Sequence, residues 1–189
     1  PNRGSHPNDS GKSILDFLLE NKDTISEGKG IFLNKTFRLH PKINTFTSAS
    51  FYDGRLLTNI KSENRTIQYP KNFMIKNDGI HLIAMNHIDN SQKSEEELKV
   101  IQNLIKKLIG ANFIDNDQER KLDIEDILVV SPYNVQVNFL LGNLPKGSRV
   151  GTVDKFQGQQ APITIISMVS SDTDSLPRNK SWFFNRNRL

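Results

Sequence analysis

Val150-Gly151-Thr152-Val153-Asp154-Lys155-Phe156-Gln157-Gly158-Gln159-Gln160, followed by Ala161-Pro162 and the apolar run Ile163-Thr164-Ile165-Ile166-Ser167, decides how this chain folds. Residues 149–152 and 163–169 read as strands, with a polar turn through Gly158 between them. A little upstream, Ile127-Leu128-Val129-Val130 is a continuous, largely β-branched run of the kind found in a strand covered on both faces. Strand-like and helix-like apolar stretches alternate along the chain, and that order predicts an α/β fold with a mostly parallel sheet flanked by helices.

Outward from that centre, the clearest helix begins at Ser94, where Glu97 completes a capping box and Glu95 and Glu96 suit the positive helix end. Leu98, Ile101, Leu104, Ile105, Leu108 and Ile109 form its apolar stripe. A shorter helix is expected near 135–141, before a turn at Pro145-Lys146-Gly147. Towards the amino end, a helix from Ser10 or Lys12 to Glu20 presents Ile14, Leu15, Leu18 and Leu19. A second helix starts at Pro41, with Ile43, Phe46, Ser50 and Phe51 at helical spacing. Short strands are expected at 31–33 and 80–85, a surface insertion or loose hairpin at 59–79, and a charged connection at 115–126. With no repeat and no interdomain linker, residues 1–189 read as a single domain.

Composition narrows the classes. The chain has 189 residues, 35% of them hydrophobic, a net charge of +4 and no cysteine. That length buries a proper core. The mean hydropathy of −0.51 and the lack of a long apolar run leave no membrane span. Without cysteine there is no disulfide framework, thiolate zinc site or cysteine nucleophile, and a cytoplasmic setting is the natural expectation. The start at Pro1 rather than Met suggests a piece of a longer chain. A charge of +4 spread over a domain gives only a weak field. More local is the crowding of Arg178, Lys180, Arg186 and Arg188 around Trp182, Phe183 and Phe184, which could hold phosphates and stack bases, or equally begin another strand.

Four segments could carry chemistry. Gly11-Lys12-Ser13 ahead of a helix imitates a phosphate-binding P-loop, but the spacing back to Gly4 is wrong and no apolar strand precedes it, so a polar loop capping a helix is the better reading. In Phe37-Arg38-Leu39-His40-Pro41, an arginine at a strand–helix junction is placed to reach a phosphate, and the adjoining ring offers a face to a purine. By itself that segment reads more readily as a surface arginine beside a core phenylalanine. The opening stretch puts backbone N–H groups, Thr152 and side-chain amides at the carboxyl edge of a sheet, where open α/β folds bind ligands, and it is equally a polar turn. Ser131-Pro132-Tyr133-Asn134-Val135-Gln136 also follows a strand, and alone reads as simple helix initiation. His6, His40, His81 and His87 include no pair at metal-ligand helical spacing, and no Gly-x-Ser-x-Gly elbow is present. Glu95, Glu96 and Glu97 read as solvated helix-start residues rather than a nuclease acid cluster.

Together these segments resemble the second RecA-like domain of a superfamily-one helicase, of the 5′-to-3′ branch with the Upf-type and Dna-type enzymes. The resemblance rests on Phe37-Arg38-Leu39-His40-Pro41 and Phe51-Tyr52-Asp53-Gly54-Arg55-Leu56. It rests further on Pro132, Tyr133 and Gln136 of a Pro-Tyr-x-x-Gln segment, and on Thr152 through Gly158 of a Thr-Val-Asp-x-Phe-Gln-Gly motif. Asn187-Arg188-Leu189 is similar to the opening of the last helicase motif. The wording around Gly151 especially resembles that of bacterial members that also carry a RecB-like nuclease domain.

The resemblance implies a RecA-like P-loop NTPase fold and a DNA-helicase motor domain. Arg38 then contacts the γ-phosphate of ATP, Phe37 lies against adenine, and Gly158 and Gln160 approach the nucleotide. Thr152, Pro132, Tyr133 and Gln136 face single-stranded DNA. Gln160 stands where the family has a ribose-binding Glu, and no P-loop, magnesium box or Ser-Arg-Ala finger is present. ATP and Mg2+ are therefore expected of a full-length hydrolase whose N-terminal RecA-like domain completes the cleft, with a fused nuclease as a further partner. The fragment alone is expected to bind and hydrolyse no ATP. An RNA helicase of the same family and a non-catalytic nucleic-acid-binding module remain open beside this reading.

Overall fold

A computed structural model describes residues 13–171. The candidate P-loop imitation at 4–12, the start of the first helix, the cationic aromatic cluster at 178–188 and Asn187-Arg188-Leu189 lie outside the described residues. The chain divides into two compact units, one of Pro1–Thr66, Asn77–Ile80 and Ile114–Gln118, the other of Ile67–Lys76, His81–Phe113 and Glu119–Leu189.

In the first unit, α1 (Ile14–Leu19) is capped by the Ser13 hydroxyl, which accepts from the Asp16 N–H. Further on, β1 (Lys35–Thr36), α2 (Pro41–Phe51) and β2 (Leu57–Thr58) form a small β-α-β unit, with β1 and β2 parallel and Lys35 opposite Leu57. Pro41 opens α2 as expected, and the His40 ring caps it by accepting from the Lys42 N–H. The buried face of α2 is polar. Asn44 Nδ2 donates to the Leu56 carbonyl at 2.9 Å and Ser48 Oγ accepts from the Leu56 N–H at 3.0 Å, so these side chains tie the helix to the approach of β2. Phe46, expected on that face, is exposed.

The second unit carries the parallel sheet. Its order is β7 (Arg149–Gly151), β6 (Ile127–Val130), β8 (Ile163–Ile166), with Val130 opposite both Gly151 and Ile166. Every residue of β6 is buried, as its unbroken apolar run predicts for a central parallel strand. On it pack α3 (Glu95–Leu108), through Leu98, Ile101, Leu104, Ile105 and Leu108, and α4 (Asn134–Asn143), through Val137 and Leu140. Phe73 joins this core, although 59–79 reads from sequence as a surface insertion. A second sheet has the order β3 (Arg65–Gln68), β4 (Asn112–Asp115), β5 (Gln118–Lys121). It includes part of the expected charged connection, and Ile67, Ala111, Phe113 and Leu122 form a small apolar cluster there. The α/β class with parallel strands flanked by helices thus holds.

Three local expectations are corrected. Residues 31–33 form no strand; Ile31 and Leu33 are exposed, and pairing begins at Lys35, where β2 supplies a partner. Residues 80–85 join no ladder among the described residues, with Ile80 and Leu82 exposed while Ile83 packs on the core. The capping box at Ser94 is half present. Its hydroxyl accepts from the Glu97 N–H at 3.1 Å, but the Ser94 N–H donates to Gln136 Oε1 at 3.0 Å rather than to Glu97. With Gln136 in that role, the Glu97 carboxylate is released to bind Ser167 and the Val169 N–H.

Candidate functional site

The sequence-derived residues fall into two groups, one in each unit. In the first, Phe37 and Arg38 follow β1 directly. Thr36 Oγ1 accepts from the backbone N–H groups of Arg38 at 3.2 Å and Leu39 at 3.4 Å. On the opposite side of the same peptides, Arg65 Nη1 donates to the carbonyls of Phe37 and Arg38, each at 3.1 Å. The backbone is held from both sides, and both side chains are left outside. Phe37 is 63% exposed. The Arg38 guanidinium is exposed and makes no hydrogen bond or ion pair with the described residues. An arginine whose charge is not neutralised internally keeps its five donors for a ligand, and a phosphate is the ligand its fork fits.

The second group lies around the parallel sheet. β6 and β7 end side by side, and the Ser131 N–H donates to the Gly151 carbonyl at 3.1 Å. The Ser167 N–H, just past β8, donates to the Val130 carbonyl at 2.8 Å. Ser131, Pro132, Thr152 and Ser167 therefore share the carboxyl edge. Ser131 Oγ is buried there without a hydrogen-bond partner among the described residues. Pro132 and Tyr133 lead into α4, whose first turn has no side-chain cap, so its N–H groups remain open to an acceptor. Tyr133 is buried, its hydroxyl 3.1 Å from Ser170 Oγ.

Gln136 is fully buried. Its Nε2 donates to the Ser94 carbonyl at 3.3 Å and to Ser167 Oγ at 3.1 Å, while its Oε1 accepts from the Ser94 N–H. The Gln136 amide is thereby committed to joining the starts of α3 and α4 to the end of β8.

The segment from Thr152 to Gln160 does not stay at one edge. Leaving β7, it makes a 3-10 turn over Asp154–Phe156 and passes through Gly158 at φ +80°. Next, Gln159 Oε1 accepts from Arg149 Nη2 at 2.7 Å, at the opposite end of β7. A connection between parallel strands must return to the amino edge, so Thr152 lies at the carboxyl edge while Gly158 to Gln160, all exposed, lie on the return path. Gly158 is glycine for its left-handed backbone, since a Cβ there meets nothing within 4 Å.

Residues 11–188 match the model of the AAA domain family. The chain belongs to that family. Among curated relatives, this AAA domain is 30% identical over 152 residues to the DNA polymerase alpha-associated DNA helicase A of Schizosaccharomyces pombe, covering 75% of the chain and 23% of that protein. It is 28% identical over 147 residues to the uncharacterized ATP-dependent helicase C05C10.2 of Caenorhabditis elegans, covering 71% of the chain and 9% of that protein. To Helicase SEN1 of Saccharomyces cerevisiae it is 26% identical over 155 residues, covering 74% and 7%. The chain thus spans under a quarter of each of these relatives. The helicase resemblance read from motif order holds at this level.

Several residues around the AAA domain's candidate site carry no sequence signal of their own. Arg65 and Asp115 meet as an ion pair at 3.0 Å although fifty positions separate them. Ser167 and Glu97 are joined across seventy. His87 Nε2 lies 3.7 Å from Glu97 Oε1, with its Nδ1 2.7 Å from Ser171 Oγ. Of these, Glu97 is marked in the sequence only by its place at a helix start, and His87 only as one of the four histidines. Among the described residues no helix is long and apolar enough to cross a membrane.

Proposed function

We propose that this chain is a motor domain of an ATP-dependent DNA helicase, one wall of a nucleotide cleft whose P-loop and Mg2+ ligands belong to a second RecA-like domain of a parent polypeptide. The observation that carries the reading is Arg38, a free guanidinium on a backbone pinned at its N–H and carbonyl sides. In that reading Arg38 binds the γ-phosphate, and Phe37 lies flat against the base. By the resemblance alone, Gly158 and Gln160 also belong to nucleotide binding, Gln160 standing where the family has a carboxylate. The carboxyl edge of the sheet takes the DNA backbone, with Thr152 and the first turn of α4 as phosphate donors. Gln136 supports that edge from beneath. Arg38 is drawn in while the γ-phosphate is present and released after hydrolysis, and this alternation moves the two motor domains against each other.

The test is ATP turnover by the parent protein with single-stranded DNA or RNA as stimulant. Arg38→Ala is expected to lower kcat by about 10³-fold, the scale of arginine contacts to a transferring phosphoryl group, without loss of folding. Near-normal turnover removes Arg38 from the site. Stronger stimulation by RNA than by DNA replaces DNA as the track.

A further inference from the structure

We propose that Arg65 is a positioning residue for this site, a guanidinium clamp anchored on Asp115 that fixes the direction in which Arg38 and Phe37 leave the backbone; the proposal rests on the Arg38 reading above. The geometry is specific to an arginine. Arg65 Nε donates to Asp115 Oδ1 at 3.0 Å, while Nη1 reaches the carbonyls of Phe37 and Arg38, both at 3.1 Å. One rigid planar group therefore spans a carboxylate and two successive peptides, which a lysine ammonium on a flexible stem cannot reproduce in one orientation. Asp115 holds the guanidinium at Nε while the carbonyls hold it at Nη1, so the planar group is not free to swing about its stem.

The clamp complements Thr36, whose hydroxyl holds the N–H groups of Arg38 and Leu39. His40 fixes the next residues by capping α2. The peptide from Thr36 to His40 is thus tied at its N–H groups, its carbonyls and its exit, while none of these bonds uses the Arg38 or Phe37 side chains. Such an arrangement pre-pays the ordering of a ligand-binding loop. A purely structural ion pair would need no contact with these two carbonyls. Misplacement of a catalytic contact by about 1 Å costs on the order of 10²-fold in rate, which sets the expected scale.

The experiment uses the parent protein with Arg65→Gln and Arg65→Lys, beside Arg38→Ala. Amide hydrogen exchange of peptides covering 36–40 is measured without nucleotide, and kcat and KM for ATP are measured at saturating single-stranded DNA. Arg65→Gln is expected to speed exchange in 36–40 and to lower kcat by about 10²-fold with KM for ATP changed by less than about threefold. Arg65→Lys should restore part of kcat. Unchanged exchange in Arg65→Gln overturns the clamp. Faster exchange with unchanged kcat, while Arg38→Ala is inactive, overturns its positioning role. Should Arg38→Ala itself turn over normally, the fault lies with the site assignment, and exchange alone decides whether the clamp exists.

Discussion

Replacing Gln136 by Met keeps the length and flexibility of the side chain and removes its hydrogen bonds, which makes it a clean test of how the carboxyl edge is built. Gln136 and Ser94 are both fully buried. In Gln136→Met the Ser94 N–H loses the acceptor it holds at 3.0 Å and finds no water. An orphaned buried donor costs about 1–3 kcal/mol. The Ser94 carbonyl still receives the Leu98 N–H, and Ser167 keeps Glu97. Losing the two Nε2 bonds therefore adds only about 0.5–1.5 kcal/mol each. A total of about 4 kcal/mol is a large part of the roughly 5–15 kcal/mol that stabilises a domain. With a urea m-value of about 1.5 kcal/mol/M it lowers the unfolding midpoint by roughly 2.5 M. Gln136→Glu should cost more, because it keeps the acceptor but buries a charge and loses both donors. The assay is urea unfolding followed by circular dichroism, with oligonucleotide affinity measured on the folded variant. An unmoved midpoint, or weaker binding at unchanged stability, would refute the bracing role and make Gln136 a direct contact.

Glu96 gives a prediction in pH. Its own backbone N–H, the Asn90 amide at 2.9 Å and the Ser94 hydroxyl at 3.0 Å favour the carboxylate and hold its pKa at about 2, below the ordinary 4.5. A depressed folded-state pKa contributes stability that is present above the ordinary value and is lost as pH falls towards the folded one. The midpoint difference between wild type and Glu96→Gln should therefore be largest above 4.5 and shrink towards pH 2, and a difference constant over that window contradicts it. Gly158→Ala should cost about 1 kcal/mol, because φ +80° is left-handed while the space for a methyl is open. Gly158→Asn should cost less, since Asn tolerates that region, and equal losses for the two variants would trace the cost to something other than backbone handedness.

What the sequence made legible was local or strongly periodic. β6 announced itself through four consecutive apolar residues, α3 through its stripe and Ser94, and α2 through Pro41. The failures involve partners far along the chain. Apolar runs at 31–33 and 80–85 favour extended backbone, but a strand needs a neighbour, and none is presented to them among the described residues. β4 and β5 were hidden because β5, Gln-Glu-Arg-Lys, is exposed throughout and has no apolar face to read. A signal did exist between them: Asn116 and Asp117 both adopt positive φ, 47° and 69°, as a tight two-residue turn requires. At the candidate site, Phe37 and Arg38 were visible as a motif, whereas the bonds from Thr36 and Arg65 that fix them were not. Glu97 shows the same limit. Its position predicts a reciprocal cap, and only the fold reveals that Gln136, forty-two residues from Ser94, takes over that bond.

The account stands most directly on whether Arg38 senses the terminal phosphate. The deciding measurement is the affinity of the parent protein for a non-hydrolysable ATP analogue and for ADP, before and after Arg38→Ala. The account predicts that the variant loses wild type's preference for the triphosphate while its ADP affinity stays nearly the same. A preserved triphosphate preference, or an equal loss for both nucleotides, would contradict it.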